Sequence, residues 1–165
     1  MYTAAQGVAA ASSVLRNLKA SWGGDSEARV KMHMAATMAG SAIDNAITGM
    51  AHGMDGAGGD FGKPHGLMTG LILPYTMLYL GPCAVYSDVA RSIGLTGTDE
   101  ELHRDLVAYI WKLYEEIEMP RTLKEAGVPE EEPPARQWPH TVQTTCGCGT
   151  AFPANGPTAP HIPRR

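Results

Sequence analysis

Apolar residues recur every three to four positions along most of the first 127 residues, the period of an α-helix and not of a strand. Val8, Ala11, Leu15, Leu18 and Trp22 mark a first helix, which Gly23-Gly24 ends. Asp25 or Ser26 can cap the next, with Glu27 in its first turn, where the helix dipole favours a carboxylate. That second helix is predicted over residues 28–52. Its apolar positions Met32, Ala35, Ala36, Met38, Ala39, Ala42, Ile43, Ala46, Ile47 and Met50 lie around much of its circumference. With Gly40 and so many alanines, the pattern predicts a central helix with neighbours packed close on all sides.

Beyond a glycine-rich stretch the elements shorten. Residues 67–80 form an apolar helix that Pro74 should kink or break, because proline removes a backbone donor and clashes with the preceding turn. Residues 85–93 form another, ended by Gly94 in a left-handed cap with Leu95 folding back. Thr98-Asp99-Glu100-Glu101 is a capping box, and Leu102, Leu106, Tyr109, Ile110, Leu113 and Ile117 trace one apolar face behind it. No stretch sustains period-two alternation. The predicted fold class is therefore all-α, a bundle of about five to six helices over residues 1–128. From Glu130 the chain reads EEEPPARQWPH and then runs rich in Thr, Gly and Pro, which predicts an extended or disordered tail over 129–165. No internal repeat is present.

Composition narrows the function classes. A chain of 165 residues is long enough to bury one core. Its formal charge of −4, with 13 Lys and Arg scattered along it, argues against a nucleic-acid partner, which would want a clustered basic face. The apolar run at 67–80 is too short to span a membrane. Three cysteines and no N-terminal signal pattern predict a reducing, cytoplasmic setting.

The chemistry concentrates on His52 and His65, thirteen residues apart. The first ends a helix pattern, and the second follows a glycine-rich turn and opens the next helix. Two element ends joined by a flexible connection let both imidazoles converge on one divalent ion. Two neutral imidazoles alone make an incomplete site, since a metal usually takes three or four protein ligands. Other features have plainer readings. His33 reads as a surface or packing residue, and His103 as solvated helix surface. Met32, Met34, Met38, Met50 and Met54 read as adaptable core filler. Cys146 and Cys148, with His140 or His161, offer poor spacing for structural zinc. Gly58-Gly59 is too short for a phosphate loop and reads as the tight turn before His65.

Several spaced motifs then fall in a familiar order. They are Gly40-x-Ala42-Ile43-x-Asn45-Ala46-x-x-Gly49-x-x-His52, Gly58-Gly59-x-Phe61-x-x-Pro64-His65-Gly66 and Leu71-Ile72-Leu73-Pro74. Ile93-Gly94-Leu95 and Pro120-x-Thr122-Leu123-Lys124-Glu125-x-Gly127-Val128 follow. Over residues 5–128 this resembles the iron-containing (group III) alcohol dehydrogenase family. The resemblance implies two domains, an N-terminal α/β dinucleotide-binding domain and a C-terminal helical domain holding Fe²⁺, or Zn²⁺ in some members. It implies metal ligands from an upstream Asp-x-x-x-His pair and from two later histidines, which fall on His52 and His65. The ion acts there as a Lewis acid on the oxygen of a small alcohol or aldehyde, while hydride passes to or from NAD(P).

The departures from the family pattern carry equal weight. The upstream pair belongs about sixty residues before the position of His52, and only fifty-one residues precede it in this sequence. The resemblance thus implies a partial protein, lacking the nucleotide domain and two of four ligands. The family's second histidine, near nicotinamide, falls on Gly56 in a segment one residue short, and Asp55 is the nearest polar substitute, a candidate third ligand. Cys148 occupies a family cysteine position, but Phe152-Pro153-Ala154 replaces what usually follows it. Three readings follow: the metal-binding part of a dehydrogenase, inactive by itself; an inactive helical module that associates with full-length family members; and a small metal-binding protein using His52, Asp55 and His65. The expected metal is weakly bound. The expected partners are a second copy of the chain or a nucleotide-binding domain, and NAD(P) binds only if such a domain is supplied by another chain.

Overall fold

The computed structural model describes residues 2–46, 48–55 and 61–129. The expectations for the tail from residue 130 onward, for Cys146, Cys148, His140 and His161, and for Gly56 and Gly58-Gly59 lie outside the described residues.

Six helices, and no strand, make up the described residues: α1 (Tyr2–Trp22), α2 (Ser26–Ile43), α3 (Met50–Met54), α4 (His65–Leu80), α5 (Ala84–Ser92) and α6 (Asp99–Glu116). The all-α expectation holds. Asp25 is the cap of α2, its carboxylate accepting the Ala28 N–H at 2.8 Å. Thr98 and Glu101 form both halves of the capping box at the start of α6, at 3.3 and 2.8 Å. Gly94 (φ 97°) closes α5 in the left-handed conformation. The Leu95 N–H then reaches back to the Ala90 carbonyl at 3.0 Å while its side chain packs on the core.

The core forms where α6 lies across the bundle. Leu102, Leu106, Ile110 and Tyr114 meet Met77 of α4 and Val89 and Ala90 of α5, with Val8, Ala11 and Leu15 of α1 packed on the same cluster. Four expectations change here. The predicted helix over 28–52 is two helices, with α2 ending at Ile43 and α3 starting at Met50. Asp44 caps the end of α2 and Asn45 follows it, a short polar residue whose side chain bonds the backbone in competition with the helix. The Asn45 amide donates to the Ser41 carbonyl at 3.0 Å, and Gly49 is extended at the start of α3.

The second correction concerns where α2 sits. It packs on α1 alone among the described helices. Only Ala28, Ala35 and Ala42 of α2 are buried, while Val30 and Met34 are 58% and 62% exposed, so Met34 is not core filler. The central helix is α6.

Third, of the kink or break expected at Pro74, the break does not occur: α4 runs through it with Pro74 buried. Proline leaves the carbonyl four residues earlier without its helical donor. That carbonyl belongs to Gly70, and the Tyr114 hydroxyl donates to it at 2.8 Å. Burial of Tyr114 pushes its phenol up to about 12. Fourth, His103 is buried and not solvated: its Nε2 bonds the Met77 carbonyl at 3.0 Å, and its ring lies against Tyr86. An imidazole near the start of α6 thus ties α6 to the end of α4.

Candidate metal centre

The two histidines sit on short, well-anchored pieces of chain. His52 lies on α3, whose Ala51 is buried against Leu71 and Ile72 of α4, with Met54, Met119 and Ala126 around them. His65 is the first residue of α4, after Pro64, whose fixed φ (−59°) sets the chain for helix entry. The chain beyond α6 folds back over this junction. A Cβ on Gly127 (φ 77°) would stand 2.8 Å from the Lys63 ammonium, so glycine at 127 leaves room for Lys63 beside the turn into α4.

The imidazoles meet as expected. Their ring centres are 5.0 Å apart, with the planes tilted by 58°. Both residues are exposed, so the ring faces open to solvent. Two imidazoles holding one ion through nitrogens at about 2.0–2.1 Å, in tetrahedral disposition, would have ring centres roughly 5 Å apart. The pair fits a shared divalent ion in spacing and in donor chemistry.

Asp55 joins the two histidines. Its backbone N–H donates to the His52 carbonyl at 3.3 Å, closing α3. Its Oδ2 meets His65 Nδ1. Oδ1 of the same carboxylate is buried and has no hydrogen-bond partner among the described residues. The described residues contain no group of three or more His, Cys, Asp or Glu side chains placed to hold an ion. The structure nonetheless sets His52 and Asp55, both singled out in the sequence, against His65. It gives Asp55 a contact with His65 that no sequence pattern signalled. His33 and His103 stand on other helices, and His33 lines a separate cleft of about 520 Å³ with Leu18, Ser21, Trp22, Arg29 and Met32. No helix among the described residues is long and apolar enough to cross a membrane.

Comparison with known proteins decides the lineage of the chain. The family model for the Fe-containing alcohol dehydrogenase family, C-terminal, matches residues 1–150. The chain belongs to the iron-containing alcohol dehydrogenase family. The chain is 38% identical over 116 residues to an NADPH-dependent butanol dehydrogenase of Clostridium saccharobutylicum, covering 68% of this chain and 30% of that protein. It is 30% identical over 124 residues to lactaldehyde reductase of Escherichia coli K12, covering 72% of this chain and 32% of the relative. Among solved structures, an iron-containing alcohol dehydrogenase from Thermococcus thioreducens matches with a TM-score of 0.66 at 32% identity, over 79% of this chain and 33% of that one. The chain spans about a third of the length of these relatives, and the matched portion is the helical domain of the iron-containing alcohol dehydrogenases.

Proposed function

We propose that this chain is the metal-binding helical part of an NAD(P)-dependent alcohol dehydrogenase, acting on a small alcohol or aldehyde. The observation that carries the reading is the His52–His65 pair, with ring centres 5.0 Å apart at the junction of α3 and α4. The names of the relatives support the reaction class, since they include a butanol dehydrogenase and a lactaldehyde reductase. His52 and His65 would hold a divalent ion, Fe²⁺ or Zn²⁺, through neutral imidazole nitrogens. When bound, the ion supplies Lewis-acid polarisation of the substrate oxygen. The chain's own contribution is to fix two donors on anchored helix ends and to leave their outer side open for substrate.

Two imidazoles leave a coordination sphere incomplete. On this reading the remaining ligands and the NAD(P) site come from a nucleotide-binding partner domain, and the isolated chain binds its ion weakly and is inactive. The cytoplasm, where nicotinamide cofactors are at hand, is the expected setting. A second reading, an inactive module that associates with full-length relatives or with itself, draws on the open apolar face of α2 at Val30 and Met34.

The test is nicotinamide reduction with simple alcohols and Fe²⁺ or Zn²⁺. It is run with the chain alone and with the separately expressed nucleotide-binding domain of a relative. The proposal expects no turnover alone and turnover on mixing, abolished by His52→Ala. Turnover by the chain alone refutes the division of labour. No turnover on mixing, despite a stable complex, favours the inactive module.

A further inference from the structure

Asp55 has a place in the sequence that invites one role and a place in the structure that suits another. As a carboxylate three residues after His52, it looks like a third ligand. In the fold its Oδ2 is committed to His65 Nδ1, and the Asp55 side chain is only 15% exposed where that of His65 is 61% exposed. A neutral imidazole carries one proton, and the hydrogen bond made by one ring nitrogen decides which nitrogen that is. A carboxylate is an acceptor only, so the hydrogen must lie on Nδ1 and point at Oδ2. The lone pair then lies on Nε2, on the far edge of the ring. A histidine in that state can donate a lone pair from Nε2 to a cation without first losing a proton.

Resting on the metal reading above, we propose that Asp55 is a positioning residue. It holds His65 as the Nδ1–H tautomer, with Nε2 free to ligate, and is not itself a ligand. Three further observations agree. The buried Oδ1 is turned away from solvent, where an exchangeable ion and its waters would sit. His52, Asp55 and His65 do not form a three-ligand group. The Asp55 backbone N–H is bonded to the His52 carbonyl, so the residue that contacts the His65 ring also closes the helix that carries His52. A partner carboxylate also raises the basicity of the ligating nitrogen, and loss of such a partner typically lowers metal affinity about 10- to 100-fold.

Nitrogen-15 NMR of the metal-free chain near pH 8, where an ordinary imidazole is neutral, reads the tautomer directly, and calorimetric titration with Zn²⁺ reads the affinity. The proposal expects His65 as Nδ1–H in the wild type and a shift toward Nε2–H in Asp55→Ala, with the His52 signals unmoved. It expects Zn²⁺ binding to weaken about 10- to 100-fold in Asp55→Ala. Asp55→Asn keeps one acceptor oxygen and should restore part of both. Far-UV circular dichroism confirms that each variant is folded, and should Asp55→Ala unfold, the wild-type tautomer and Asp55→Asn decide. An Nε2–H tautomer at His65 in the wild type overturns the proposal. So does Zn²⁺ binding in Asp55→Ala equal to wild type, or loss of the His65 Nδ1–H signal when Zn²⁺ is added to the wild type. Should the wild type take up no Zn²⁺ while His65 holds its Nδ1–H against Asp55, the metal reading falls and the positioning assignment stands.

Discussion

Replacing Tyr114 by phenylalanine removes one oxygen from a site where the fold depends on it. The Tyr114 hydroxyl donates at 2.8 Å to Gly70, whose carbonyl faces the missing N–H of Pro74. Tyr114 is 6% exposed, so water has little access to that carbonyl once the hydroxyl is gone. A buried acceptor left without a partner costs about 1–3 kcal/mol. For a chain of this length that corresponds to roughly 2–4 °C in Tm per kcal/mol, hence a fall of about 2–12 °C.

Urea unfolding followed by far-UV circular dichroism measures the cost, and a double-mutant cycle with Pro74→Ala assigns it. An alanine at 74 restores an N–H within the helix to meet Gly70, so Tyr114→Phe should cost markedly less in that background. The same bond has a pH signature. The folded phenol is raised from 10.0 to about 12 by burial. The unfolded chain therefore ionises first, and this contribution is intact below pH 10. It is lost as the pH rises toward about 12. Tyr114→Phe should remove that alkaline loss. A cost below about 0.5 kcal/mol, or an equal cost in both backgrounds, refutes the account of how α4 tolerates its proline.

Three other outcomes follow from the fold. Thr98→Ala removes the side-chain half of the capping box, and thermal melts should show a loss of about 0.5–2 kcal/mol. Gly94→Ala forces a Cβ onto a residue at φ 97°, and a loss of about 1–3 kcal/mol is expected in the same melts, against a near-neutral result if the cap relaxes. The face of α2 carrying Val30 and Met34 should drive concentration-dependent association. Sedimentation should show it weakened in a Val30→Lys, Met34→Lys double variant, and a monomer at every concentration contradicts it.

What the sequence made legible was local. The cap of α2 at Asp25, the capping box at Thr98 and the Gly94 stop are each complete within a few residues, and all three stand where residue type and spacing put them. The break between α2 and α3 was hidden because Ala46 and Met50 continue the apolar period past Asp44 and Asn45, the residues that end the helix. The unbroken passage of α4 through Pro74 is not legible locally, because the donor that satisfies Gly70 comes from Tyr114, forty-four residues along the chain from Gly70. His103 reads as solvated because it comes just after the capping box at the start of α6, and only the packing of α6 on α4 presents it with the Met77 carbonyl. At the candidate centre, motif spacing pointed to His52 and His65. Asp55 was legible as a carboxylate near them, but its alignment on His65 Nδ1 depends on how α3 docks against α4.

The most direct test of the central claim is a Zn²⁺ titration of the purified chain by calorimetry, beside a His52→Ala, His65→Ala double variant of matched Tm. The paired imidazoles at 5.0 Å predict one weak site per chain in the wild type, emptied by dialysis, and no site in the variant. Binding of equal strength in both proteins, or none in the wild type, would contradict it.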